Sequence, residues 1–122
     1  MKRKRILIIE DEAMIAEAMS DIIAILGHEV IWFESGLEAL AAGVGVSFDL
    51  AIIDLELPAM PGLEVAEKIR EYHPGIRILF STGFSEQEEQ IDLTQPYVAG
   101  IIHKPFEIAD LQRAIEKAFS KS

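Results

Sequence analysis

Four short segments carry the residues best suited to chemistry. Glu10-Asp11-Glu12 is an acid triplet, Asp54 is a lone acid, Ser81-Thr82-Gly83 offers hydroxyls and a glycine, and His103-Lys104-Pro105 offers an ammonium. Each segment directly follows an apolar run. Two carboxylates about 4 Å apart repel by about 4 kcal/mol at an effective dielectric of about 20. Three carboxylates gathered in one cleft therefore need cations. Lys104 can offset one charge, and a hard divalent ion can offset two more. All-oxygen ligands suit magnesium, which keeps several waters and takes one or two carboxylates plus a phosphate oxygen. Such a cleft, with a hydroxyl added, suits a phosphoryl group. The cations neutralise its oxygens, the hydroxyl donates to one of them, and one carboxylate is free to attack.

The elements that must position these residues are legible in the hydrophobic pattern. Five apolar runs recur: Ile6 to Ile9, Val30 to Phe33, Leu50 to Ile53, Ile76 to Phe80 broken by Arg77, and Val98 to Ile102. They are mostly β-branched and continuous, as in strands covered on both faces. Helical patterns lie between them. Ile15, Met19, Ile22 and Leu26 recur at three- and four-residue spacing, with Gly27 as a stop. Ser35 to Glu38 has the form of a capping box. Leu63, Ala66 and Ile69 share a face before Pro74, and Ile108, Leu111, Ile115 and Phe119 stripe the last helix. Ser85 to Leu93 has a capping box, Ser85 to Glu88, but almost no stripe, so any helix there is the least firmly docked. Strand and helix thus alternate five times, which predicts parallel βαβ units with right-handed crossovers. In such a sheet the ligand site lies beyond the carboxyl ends of the strands. That is where the four segments fall.

Composition narrows the function classes. The 122 residues predict one domain, 1–122, with 50% hydrophobic and 26% charged residues, a globular balance. Cysteine is absent, which excludes disulfides, thiolate metal sites and cysteine nucleophiles and suits a cytoplasmic location. Eleven basic against 21 acidic residues give a net charge of −10, which disfavours direct nucleic-acid binding. The one basic run, Lys2 to Arg5, reads as a solvated entry to the first strand. No apolar stretch approaches the roughly 20 residues of a membrane-spanning helix, so no membrane insertion is expected.

Taken in order, spacing and register, these motifs resemble the receiver domain of two-component response regulators over essentially the whole chain. They are the acid pair Glu10-Asp11, Asp54 with Pro58 and Gly62 after it, Thr82, and Lys104-Pro105-Phe106. The resemblance implies a flavodoxin-like (βα)5 doubly wound sheet, order 2-1-3-4-5. It implies Asp54 as phosphoacceptor and a magnesium site of Asp11, Asp54, the Glu56 backbone carbonyl and, through water, Glu10. Thr82 and Lys104 would contact phosphoryl oxygens, and the Lys104-Pro105 bond would be cis. The implied partners are a sensor histidine kinase or histidine phosphotransfer protein and a downstream protein target, with homodimerisation on phosphorylation as one outcome. The chain departs from the common pattern at Ile101, where many receivers carry an aromatic switch residue. Phe80 to Phe84 is similar to a subset of receivers without it. The response is then expected in the weakly striped stretch 83–95. No output domain follows the last expected helix, so the sequence reads as a stand-alone receiver or one cut from a longer chain.

Other functions fit these residues less well. A magnesium-dependent phosphatase with an aspartyl nucleophile would place a second acid two residues on, where Glu56 stands. It would also need a cap or substrate pocket, for which five βα units leave no residues. A flavodoxin-like nucleotide binder needs backbone donors in its first loop, and Glu10-Asp11-Glu12 would repel phosphate. A docking module without phosphorylation is disfavoured by the complete set of site residues. His28, His73 and His103 read as structural, as does Trp32, and Met14, Met19 and Met60 as core or loop filler. Glu56 and Phe84 are read either as solvent-facing or as steering the water that hydrolyses an acyl phosphate.

Overall fold

The computed structural model describes residues 2–42, 46–83 and 85–120. The strands are β1 Arg5–Ile9, β2 Glu29–Phe33, β3 Leu50–Asp54, β4 Arg77–Thr82 and β5 Val98–His103. The helices are α1 Ala13–Ile25, α2 Gly36–Ala42, α3 Gly62–Tyr72 and α4 Ile108–Ser120. All strand pairs are parallel and the order is β2-β1-β3-β4-β5.

The continuous apolar runs reflect two cores, one on each face of the sheet. Ile6, Ile8, Leu50 and Ile52 pack with Met19, Ile22 and Ile23 of α1 and Leu111, Ile115 and Ala118 of α4. Leu7, Ile9, Ala51 and Ile53 pack with Ala39 of α2 and Val65, Ala66 and Ile69 of α3. Period-two alternation sends neighbours to opposite faces, so both must be apolar. Burying each isoleucine, leucine, valine or methionine among them stabilises by about 1.5–3 kcal/mol, and each alanine by less. The outer strand β2 is only half-buried throughout.

Local signals act as the sequence predicts. Gly27 takes a φ of 92°, the left-handed conformation that ends α1. Ser35 Oγ accepts from the Glu38 amide at 3.2 Å. The Lys104-Pro105 peptide is cis. The stretch from Ser85 differs from the expected helix. It forms a short 3-10 turn, Glu86–Gln90, with no buried residue, and Ser85 Oγ accepts from the Gln87 amide. An apolar stripe is what would dock a longer helix, and this segment has none. Met14 also departs from its expected role as filler, since it is 85% exposed.

Register sets the site. Ile9 is paired with Ile53, so Glu10 and Asp54 stand level one residue further on. Asp54 is paired with Ser81, and Thr82 with His103. The loop after Asp54 turns back tightly, with the Gly62 amide donating to the Leu55 carbonyl at 3.2 Å. A Cβ on Gly62 would lie 2.3 Å from the Asp54 carbonyl oxygen and 2.7 Å from Leu55 Cα. Both are backbone atoms with nowhere to move. Gly62→Ala is therefore expected to lower stability by about 1–3 kcal/mol through overpacking, read as a lower urea midpoint at unchanged slope.

Candidate functional site

The four segments meet at the carboxyl edge of the sheet. Lys104 Nζ lies 2.9 Å from Glu10 Oε1 and 3.2 Å from Asp54 Oδ2. Glu10 and Asp54 are buried, whereas Asp11 is exposed. One carboxylate oxygen from each of Glu10, Asp11 and Asp54 lies within 4.8 Å of the others. Asp54 Oδ1 also accepts from the Glu56 amide at 3.0 Å, and Glu10 Oε2 from the Glu12 amide at 3.1 Å. Trp32, half-buried on β2, donates its indole N–H to the Glu10 backbone carbonyl at 2.8 Å.

The electrostatics follow from this crowding. Burial pushes the Glu10 carboxyl up to about 7, the Lys104 hydrogen bond opposes the rise, and the Asp54 charge adds to it. Burial alone would lower the Lys104 ammonium. Its hydrogen bond to Glu10 and the charges of Glu10 and Asp54 outweigh that and hold it above its ordinary value. One ammonium among three acids leaves a cleft short of positive charge. Its donors are all oxygen, and one acid faces solvent. This set fits a hard divalent cation that keeps part of its water shell.

Thr82 is bound to Glu56. Phe80 belongs to the α2/α3 core, so alternation turns Ser81 to the other face and returns Thr82. Its hydroxyl donates to Glu56 Oε2 at 2.6 Å, and the Gly83 amide donates to Glu56 Oε1 at 2.7 Å. The Glu56 side chain is thus bound at both oxygens, a role its position as an exposed loop acid did not signal. Phe84, read alongside it, lies outside the described residues. The 3-10 turn is tied to this loop by Gln87 Nε2, which donates to the Leu55 carbonyl at 3.1 Å.

The remaining candidates are structural. His103 is exposed, on the face opposite Ile102, and its Nε2 lies 2.9 Å from Glu88 Oε2. His28 is buried against Phe119 and accepts from the Lys4 amide, and His73 meets Phe48 edge-on. Ile101 is half-buried against the α2/α3 core. No helix among the described residues is long and apolar enough to cross a membrane.

This geometry agrees with the comparisons. The family model described as response regulator receiver domain matches residues 6–116. The response regulator receiver protein CpdR of Brucella abortus is 32% identical over 114 residues, 93% of this chain and 95% of that one. The transcriptional regulator NtrC of Salmonella typhimurium is 27% identical over 120 residues, 98% of this chain but only 26% of NtrC. Among solved structures, the response regulator TrrA of Thermotoga maritima, in complex with Mg(2+)-BeF, is 32% identical at a TM-score of 0.80, covering 94% of this chain and 98% of that one. A CheY-like receiver domain from Methanospirillum hungatei is 29% identical at a TM-score of 0.81, covering 98% and 100%. The chain belongs to the response regulator receiver domain family, the phosphoacceptor switches of two-component systems.

The raised Glu10 value sets a pH dependence. The unfolded carboxyl loses its proton near 4.5 and the folded one near 7, so the folded chain binds more protons between them. Its contribution to stability must fall as pH rises through that window. In chelator, the wild-type melting temperature is expected to drop more from pH about 4.5 to about 7 than that of Glu10→Gln, which has no proton to lose.

Proposed function

We propose that Asp54 is the phosphoacceptor of this receiver and takes a phosphoryl group from a phosphohistidine. The donor is a sensor histidine kinase or a histidine phosphotransfer protein. An Asp54 carboxylate oxygen attacks phosphorus, the P–N bond breaks, and its electron pair returns to the donor imidazole. The observation that carries this reading is the buried Asp54 carboxylate 3.2 Å from Lys104 Nζ and within 4.8 Å of the Glu10 and Asp11 carboxylates. It is a nucleophile held among groups that handle charge.

Each neighbour has a part. Lys104 pairs with a phosphoryl oxygen as negative charge moves out from Asp54. Thr82 donates its hydroxyl to another and reports the arrival of the group. Asp11, Asp54 and the Glu56 backbone carbonyl would hold magnesium directly and Glu10 through water. When bound, the ion supplies positive charge that lowers repulsion between the carboxylates and the incoming phosphoryl oxygens. TrrA, solved with Mg(2+)-BeF, supports this assignment by analogy. The chain promotes its own phosphorylation and autodephosphorylation and is not a conventional enzyme. Its output is altered binding of a downstream protein at 83–95, a stretch whose 3-10 turn, Glu86–Gln90, has no buried residue.

Intact-mass analysis after incubation with acetyl phosphate and magnesium tests the nucleophile. Wild type is expected to gain one phosphoryl group and Asp54→Asn none; equal gain by both would refute the assignment. Calorimetry tests the metal site separately. Asp11→Ala is expected to lose at least about tenfold in magnesium affinity, since a site with few protein ligands cannot spare a charged one. Unchanged affinity would move the ion elsewhere.

A further inference from the structure

The carboxylate of Glu56 has no part in the chemistry described so far, yet both its oxygens are bound by groups at the end of β4. Its two oxygens take the Thr82 hydroxyl at 2.6 Å and the Gly83 amide at 2.7 Å. These are lengths of the charge-assisted class. A hydroxyl has one O–H and an amide one N–H. While Glu56 holds them, neither donor can serve another anion.

We propose that the Glu56 side chain is an internal competitor for the phosphoryl oxygens. In the resting chain it occupies the Thr82 hydroxyl and the Gly83 amide, which a phosphoryl group on Asp54 must take over. This rests on the reading of Asp54 as phosphoacceptor. A carboxylate presents two negative oxygens in a plane, and a phosphoryl group presents oxygens of the same charge to the same donors. Geometry keeps the two anions close, because the Glu56 amide itself donates to Asp54 Oδ1 at 3.0 Å. Phosphorylation therefore breaks both Glu56 bonds, and like-charge repulsion drives the carboxylate outward.

The consequence is a kinetic brake and a switch in one residue. The donors are preformed but plugged, so phosphorylation must displace a bound anion before the product is stabilised. The freed side chain leaves beside the 3-10 turn, since Gln87 Nε2 is anchored on the Leu55 carbonyl one residue before Glu56. The β4 donors thus sense the phosphoryl group through an exchange of anions. Ile101, half-buried against the α2/α3 core, need not move.

The test uses the full chain at saturating magnesium. Glu56→Gln and Glu56→Ala are expected to acquire a phosphoryl group on Asp54 from acetyl phosphate about tenfold faster than wild type, and to bind beryllofluoride correspondingly tighter. Glu12→Gln removes one exposed acid nearby without touching the donors. Its rate is expected to stay within about twofold of wild type, as a screened surface charge should. Nuclear magnetic resonance of the wild type gives a readout that needs no variant. On adding beryllofluoride, the Glu56 side-chain carboxyl carbon should move to the shift of a solvent-exposed glutamate, while the Gly83 amide stays hydrogen-bonded. If wild type is modified at Asp54 but the Glu56 carboxyl signal is unmoved, the inference is overturned and the phosphoacceptor reading stands. Glu56 variants no faster than Glu12→Gln overturn it equally. If neither wild type nor the variants are modified at Asp54, the reading falls and takes the inference with it.

Discussion

Charge balance at one edge of the sheet governs this molecule. Three carboxylates, from Glu10, Asp11 and Asp54, share a cleft with the Lys104 ammonium. Parallel pairing enforces that proximity, because Ile9 faces Ile53 and the acids follow in the same step. The apolar strands below hold the arrangement against its own repulsion. The price is visible in Glu10, which burial drives up to about 7 despite its bond to Lys104. Neutralising such a cleft would stabilise the chain, which is how a bound cation would be coupled to the fold.

The site has two halves with opposite needs. The acid half, Glu10, Asp11, Asp54 and Lys104, is short of positive charge. The donor half, the Thr82 hydroxyl and the Gly83 amide, is short of nothing, because Glu56 already satisfies it. On the proposed reading, a phosphoryl group on Asp54 would draw on both halves and so change both at once. Isoleucine at position 101 is stiff about its first torsion in a strand, and the exchange of anions proposed at β4 would put the movement in the loop, with no need of a large ring there.

The strands and their order were legible because two-sided burial writes itself as unbroken apolar runs, and each site residue directly follows one. Gly62 was legible as part of the aspartate loop, although its reason, that a Cβ there would lie 2.3 Å from the Asp54 carbonyl oxygen, is purely three-dimensional. What the sequence hid were partnerships across elements. Thr82 and Glu56 are 26 residues apart, and His103 and Glu88 are 15 apart. No periodicity connects either pair. The segment from Ser85 carries a helix-start signal, but a cap without an apolar stripe yields only a 3-10 turn. Met14 resembles core in the sequence because it lies near an amphipathic stripe, but the helix phase turns it to solvent.

The most direct test of the overcharged cleft is thermal unfolding of wild type and Asp54→Ala, each in chelator and in millimolar magnesium. Removing one of the crowded carboxylates should relieve the repulsion that the metal otherwise offsets. In chelator, Asp54→Ala should melt above wild type, and magnesium should raise wild type by more than it raises the variant. A variant that melts below wild type in chelator, with wild type indifferent to magnesium, would show that these acids do not repel one another in the folded chain.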